Sequence, residues 1–458
     1  MQKVKKLKQS KFIFPKSLTG IQGLDDITNG GLPKNRPTLL LGNTGCGKTI
    51  MAMEFLVNGI VLHDEPAVFM AFEENTDELS LNVKSLGYNL EDHVNSNKLY
   101  LEHININRNE LIETGKYDIE GLFVRLGFAI DKVKAKRIVL DSLDTLFYGL
   151  DYKILRSEFR RLFAWLKEKK VSAIITAEIG ETFLTRHGLE EYVADCVIVL
   201  DNRISNQIAT RRLRIVKYRG SIHGNNEYPF IIEEKGITVF PIISEAMEQK
   251  ISSKRISSGI PKLDEMLDKK GFFVGSSILI SGTAGTGKTS IAASFVYSVC
   301  KTKKRCLFCA FEEAPNQVIR NMRSIGINLD PMIRSGLLHF YYSRPTLQNL
   351  ELHFISIKKM ILEIKPAVIV LDPITNLMTE EPNSDIRSML TRFVDYLKLQ
   401  QITVMFTAAI TVGSIERTPS DEGISSMVDT WMMVQDIELN AQRQRSLCVM
   451  KSRGMNHS

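Results

Sequence analysis

Gly42-Asn43-Thr44-Gly45-Cys46-Gly47-Lys48-Thr49 decides the fold of this chain. A short apolar run, Thr38-Leu39-Leu40-Leu41, leads into it, and Met51, Phe55 and Leu56 follow at helical spacing. Strand, glycine loop and helix are the context that a G-x-x-x-x-G-K-[ST] phosphate loop requires. The glycines let the backbone curl so that several N–H groups point at phosphate oxygens, and the helix N-terminus adds partial positive charge. Lys48 is placed to reach the β- and γ-phosphates and Thr49 to hold Mg²⁺.

The motif occurs twice. Gly282-Thr283-Ala284-Gly285-Thr286-Gly287-Lys288-Thr289 follows Ile278-Leu279-Ile280 and precedes Ile291, Phe295, Val296 and Val299 at helical spacing. Lys48 and Lys288 are 240 positions apart, and other segments repeat at nearly that period. Ala67-Val68-Phe69-Met70-Ala71-Phe72-Glu73-Glu74 matches Cys306-Leu307-Phe308-Cys309-Ala310-Phe311-Glu312-Glu313. Each reads as a buried strand ending in two carboxylates, which beside a nucleotide can orient and deprotonate an attacking water or hydroxyl. The other reading is an acidic first turn of the helix that follows. Arg137-Ile138-Val139-Leu140-Asp141 and Val368-Ile369-Val370-Leu371-Asp372 have the Walker B pattern, an apolar strand that fixes an aspartate where it can hold Mg²⁺ directly or through water. Later in each half a strand runs into K-x-R-G-x-x-H: Lys217, Arg219 and His223, then Lys451, Arg453 and His457. Clustered cations at a strand end suggest phosphate contact.

Composition sets limits. The 458 residues allow two large domains, and 44% hydrophobic with 24% charged residues is ordinary for a globular chain. Of the net charge of +7, Lys3, Lys5, Lys6, Lys8 and Lys11 supply five before any acid appears. The near-neutral remainder argues against a nucleic-acid partner. The absence of a long apolar run and of an apolar leader leads to the expectation of a cytoplasmic protein without a membrane span. Cys306 and Cys309 lie in an apolar strand pattern where positions three apart face opposite ways, so they read as buried thiols. The polar stretch 244–254 separates the halves. We expect a basic arm over 1–16, one domain over 17–246 and a second over 247–458, each an α/β unit with a mostly parallel sheet flanked by helices. The first half continues through Glu227-Tyr228-Pro229-Phe230-Ile231-Ile232 to Phe240, whereas the second stops just past His457, without a closing strand.

The ordered set of phosphate loop, Phe-Glu-Glu, Walker B Asp and Lys-x-Arg-Gly, present twice over residues 17–458, resembles the KaiC family of RecA-like ATPases. The resemblance implies two tandem RecA-like P-loop domains, a ring-shaped homohexamer of two tiers, and ATP with Mg²⁺ held between neighbouring subunits. It implies ATP binding by Gly45, Cys46, Gly47, Lys48 and Thr49 in the first tier and by Gly285, Thr286, Gly287, Lys288 and Thr289 in the second. Glu73, Glu74, Glu312 and Glu313 are then the catalytic carboxylates, and Thr49, Thr289, Asp141 and Asp372 the metal-holding residues. Lys217, Arg219, His223, Lys451 and Arg453 reach the neighbour's nucleotide. In the clock members the second tier phosphorylates itself, and Ser425 and Ser426 stand at the two acceptor positions, with Ser where Thr is more usual at the second. The first half carries Glu190 and Glu191 near the equivalent place, so only the second tier is expected to be an acceptor. A regulatory or signalling protein partner is also implied, although the tail that binds the clock family's small activator is missing here. A nucleotide-dependent switch without kinase activity, and a DNA-acting RecA-like ATPase, are the alternatives; no H-R-D or D-F-G of the eukaryotic kinase type is present.

Overall fold

A computed structural model describes residues 14–104, 120–146, 152–180, 193–205, 208–234, 236–241, 252–344, 350–377, 383–410, 426–439 and 442–455. The chain divides into two compact units, Met1–Ile242 and Ile243–Ser458. Each is built on one large, mostly parallel sheet covered by helices on its two faces.

In the first unit the strand order is Gly236–Val239, Glu227–Glu233, Ile208–Tyr218, Cys196–Ser205, Pro37–Gly42, Ser172–Ala177, Arg137–Asp141, Ala67–Ala71 and Leu99–His103. The strands from Cys196–Ser205 onward in that order are mutually parallel, and the first three are antiparallel additions. The parallel strands are buried on their two faces, which is why they are written as nearly unbroken apolar runs. Alternation sorts the side chains. Leu40, Phe69 and Val139 face the phosphate-loop helix Lys48–His63, where Met51, Phe55 and Leu56 meet them. Leu39, Leu41, Val68 and Met70 face the helices Glu120–Val133 and Tyr152–Glu168.

The second unit repeats the plan in the order Leu338–Tyr342, Cys306–Ala310, Val368–Asp372, Thr403–Ala409, Ser277–Gly282, Thr430–Leu439 and Gln442–Ser452, with the last pair antiparallel. Cys306 and Phe308 face the helix Lys288–Lys301, whereas Leu307 and Cys309 face the helices Leu350–Ile364 and Asn383–Leu399. The two cysteines of the C-x-x-C therefore enter different cores, as a strand period of two dictates. Among the described residues, nothing in this sheet corresponds to strands Glu227–Glu233 and Gly236–Val239 of the first.

A fully buried arginine ties the first unit together. Arg137 Nε donates to Glu65 at 2.6 Å, and its other nitrogens donate to Phe55 O (2.7 Å) and Leu18 O (2.8 Å). A guanidinium out of water must be paired and hydrogen-bonded, and these partners fasten the Walker B strand to the phosphate-loop helix.

Candidate functional site

The site begins with two strand-to-helix turns. Gly45 and Gly285 have φ of +76° and +79° with open space where a Cβ would lie, so backbone conformation alone calls for glycine there. Gly47 and Gly287, also at positive φ, cap the helices that start at Lys48 and Lys288. Lys48 Nζ donates to Gly42 O (2.6 Å) and Asn43 O (3.2 Å), and Lys288 Nζ to Gly282 O (2.9 Å) and Thr283 O (2.8 Å). Each ammonium thus lies over its own loop, held by two of the loop's carbonyls. The side chains of Cys46 and Thr286 turn inward and are buried, which leaves only their backbone at the loop surface.

Parallel register brings the carboxylates to this point. Ala71 pairs with Asp141 and Ala310 with Asp372, so Phe-Glu-Glu and the Walker B aspartate leave the same sheet edge. Thr49 Oγ1 donates to Asp141 Oδ2 at 2.8 Å, and Thr176 hydrogen-bonds its other oxygen. Thr289 and Thr407 do the same for Asp372. Burial pushes the two aspartates above the ordinary carboxylate value against these hydrogen bonds. A hydroxyl and a desolvated carboxylate side by side are hard oxygen donors, which suit Mg²⁺.

In the first unit Gly45, Gly47, Lys48, Thr49, Glu73, Glu74 and Asp141 all line one cavity of about 300 Å³. Glu73 Oε1 accepts from Ser142 Oγ (2.6 Å) and Thr145 Oγ1 (2.5 Å). Burial raises its carboxyl, but the two hydrogen bonds and the charge of Lys48 outweigh that and hold it below the ordinary value. Glu73 and Glu74 precede the cap of helix Thr76–Lys84, where Asn75 accepts from Asp77 N and Glu78 N. The acidic first turn is made by Asp77 and Glu78, so the glutamate pair is not part of it. In the second unit Glu313 accepts from Asn321 Nδ2 at 3.1 Å. Burial lowers the Lys288 ammonium while the charges of Asp372 and Glu312 raise it, which puts these three groups in one electrostatic neighbourhood.

Lys217, Arg219, Lys451 and Arg453 lie elsewhere. Gly42 pairs with Leu200, which pairs with Leu213. From there the antiparallel strand runs away from the loop until Lys217 pairs with Val197 and Arg219 N donates to Asp195 O at 2.8 Å. At the strand rise, Lys217 and Arg219 sit about 13 and 20 Å beyond Leu213. The second unit is alike: Gly282, Val434 and Leu447 are in register, whereas Lys451 pairs with Trp431 and its Nζ donates to Val428 O. The cations thus occupy the opposite sheet edge from their own phosphate loop. His223 is half-buried, its Nδ1 3.0 Å from Gly224 O. Ser426 is exposed in a turn and its Oγ accepts from Arg387 at 3.2 Å. Ser425 and His457 lie outside the described residues.

Sequence reasoning missed three sets of residues. Arg211, on the antiparallel strand, lines the first cavity, and Arg445 comes to 3.7 Å from where a Cβ on Gly287 would stand. Their equal distance before Lys217 and Lys451 was the available signal. Thr176 and Thr407, hydroxyls at matched places in two apolar strands, could have been found the same way. Ser142 and Thr145 have no hydroxyl-for-hydroxyl match in the second half and carried no such mark.

Comparison with known proteins agrees with this geometry. A family profile described as "ATPase: KaiC" matches twice, over residues 17–244 and 256–458. The chain is 50% identical over 443 residues to "Circadian clock protein KaiC2" of Synechocystis sp., which covers 96% of this chain and 78% of that protein. It is 36% identical over 445 residues to "Circadian clock oscillator protein KaiC" of Synechococcus elongatus, with 96% and 86% covered. The chain belongs to the KaiC family of ATPases and carries two of its domains in tandem.

Proposed function

We propose that the chain is a ring-forming ATPase whose two nucleotide pockets are completed by neighbouring copies, and whose second domain transfers phosphate to its own serines. The observation that carries this reading is the placement of Lys217, Arg219, Lys451 and Arg453 at the sheet edge away from their own loops. Side chains there serve a nucleotide only if it belongs to another copy, and a chain of such contacts closes as a ring. A homohexamer acting in the cytoplasm, with a regulatory protein partner, is the form this takes by similarity to the clock-named relatives.

In this scheme Lys48 and Lys288 hold the β- and γ-phosphates. Thr49 with Asp141, and Thr289 with Asp372, hold Mg²⁺, which neutralises phosphate charge when bound. Lys217, Arg219 and His223 reach the neighbour's nucleotide in the first tier, and Lys451 and Arg453 in the second, offsetting charge that develops in transfer. Glu73, with Glu74 beside it, orients and deprotonates the attacking water in the first tier. In the second tier the nucleophile is the hydroxyl of Ser425 or Ser426. Its oxygen bonds to the γ-phosphorus, the bond from phosphorus to the ADP oxygen breaks, and the hydroxyl proton passes to Glu312 beside Glu313. The products are phosphoserine and ADP.

The test is incubation with γ-labelled ATP and mass spectrometry. The unaltered chain is expected to carry phosphate at Ser425 or Ser426, and Glu312→Gln to abolish it while still retaining ATP. Phosphate persisting at those serines in Glu312→Gln removes Glu312 from the role of base. An unlabelled parent chain that still hydrolyses ATP would favour the nucleotide-dependent switch instead.

A further inference from the structure

The turn that carries Ser426 is fastened by the same cations assigned to the neighbour's nucleotide. Arg453 Nη2 donates to Ser426 O at 3.1 Å, and Lys451 Nζ to Val428 O at 3.0 Å. Val428 is fully buried in the core between the sheet and helix Asn383–Leu399, so the turn has one apolar anchor and two cationic ones.

Asp429 joins these parts. Its carboxylate accepts from Ser277 N and Ser277 Oγ, each at 2.9 Å, at the start of the phosphate-loop strand. It faces Lys398 Nζ at 2.8 Å and Arg453 Nη1 at 3.8 Å, and its own carbonyl accepts from Arg453 N at 2.9 Å. One carboxylate therefore binds the central strand, a helix and the end of the last strand. The first unit shares part of this corner and differs in its arginine. Asp195 sits at the equivalent register and keeps the helix lysine, Lys167 at 2.5 Å in the place of Lys398, but its arginine is Arg36, at 3.4 Å. Ser276 stands in the second unit where the first has Arg36, and there Arg453 approaches the aspartate from the last strand.

We propose that Asp429 is a positioning residue for phosphoryl transfer: it holds the Ser426 turn and the cations Lys451 and Arg453 as one unit. When those cations engage a neighbour's nucleotide, the Ser426 hydroxyl is carried to that nucleotide in a fixed register. This rests on reading Ser426 as an acceptor. Alignment of reacting atoms is where such an arrangement acts, since a displacement of about 1 Å can cost two orders of magnitude in rate.

The experiment follows phosphate on Ser426 in the full chain with Mg²⁺ and ATP, together with ATP-dependent assembly. Asp429→Asn keeps an acceptor for Ser277 but removes the charge that holds Lys398 and Arg453. Its initial labelling rate at saturating ATP is expected to fall at least about tenfold. The ATP concentration for half-maximal rate and the assembled fraction should stay within about twofold, whereas a merely structural defect would shift them together with the rate. Lys398→Met, which leaves the contacts of Asp429 to Ser277 and Arg453 in place, is expected to fall in the same direction by less, and it decides the matter if Asp429→Asn does not fold. Unchanged labelling in a variant that assembles overturns the positioning role, as does a rate loss matched by the half-saturation point. No label on Ser426 in the unaltered chain overturns the acceptor reading itself.

Discussion

The two domains carry the same motifs in the same order, yet they support the first glutamate of each pair differently. In the first, Ser142 and Thr145 donate to Glu73 and hold it ionised against the cost of burial. In the second, Pro373 stands in the place of Ser142 and has no hydroxyl to offer, and Asn376 stands in the place of Thr145, while Glu313 accepts from Asn321. Duplication preserved what a phosphate loop needs from the backbone and left the surroundings of the carboxylates free to diverge. A carboxylate fixed and charged by its own domain suits activation of water. One with a proline in place of the serine donor suits a serine that must arrive with its own proton. The difference between hydrolysis and self-phosphorylation would then lie in a few hydroxyls beside a shared scaffold.

The largest effect expected from such divergence is on stability. Glu54, buried in the phosphate-loop helix of the first domain, accepts from Ile237 N at 2.7 Å, and Ser294 occupies the matching place in the second. Burial pushes the Glu54 carboxyl up to about 7, despite hydrogen bonds from Ile237, Tyr88 and Asn58. The folded chain thus holds this proton more tightly than the unfolded one. Its contribution to stability is complete below the ordinary value of 4.5 and is lost as pH rises through about 7. The loss is at most about 3 kcal/mol. Trp165 and Trp431 are the two tryptophans, one in each domain. In a Trp431→Phe background, denaturation followed by Trp165 should show the first domain weakening between pH 5 and pH 8.5, and Glu54→Gln should flatten that trend. A parent chain equally stable at the two pH values would contradict the assignment.

A smaller effect follows from Ser142→Ala. Removing one of the two donors lets the Glu73 carboxyl rise toward its ordinary value. ATP hydrolysis is expected to fall by about tenfold, within the range of general-base contributions, and the acid limb of its pH profile to move to higher pH. Labelling of the second-domain serines should not change. A hydrolysis rate and acid limb identical to the parent's would show that Glu73 needs no help from Ser142, and the contrast between the domains would lose its basis.

Much of this site was legible in the sequence because its parts are local. A phosphate loop is written in consecutive residues: glycines where φ is positive, a lysine that opens the helix, apolar residues before it. The Walker B aspartates could be read because a buried strand announces its own end. The two cysteines of Cys306-Leu307-Phe308-Cys309 could be sent to opposite faces by counting alone. What could not be read depends on register between distant strands. Arg211 reaches the first cavity only because its strand pairs antiparallel with Cys196–Ser205, the neighbour of the phosphate-loop strand. The same pairing carries Lys217 and Arg219 to the far edge, a fact invisible in their spacing. That Cys46 turns its thiol inward, so that only its backbone faces a phosphate, follows from packing against Gly42 rather than from the motif.

The claim on which all else rests is that the far-edge cations complete a pocket on another copy. Sedimentation of the purified chain with Mg²⁺, in the presence and absence of ATP, tests it most directly, because nucleotide that bonds to two copies must shift the assembly equilibrium. The account predicts a ring-sized species with ATP and smaller species without it. A chain that stays monomeric and retains no ATP in the presence of Mg²⁺ would contradict it.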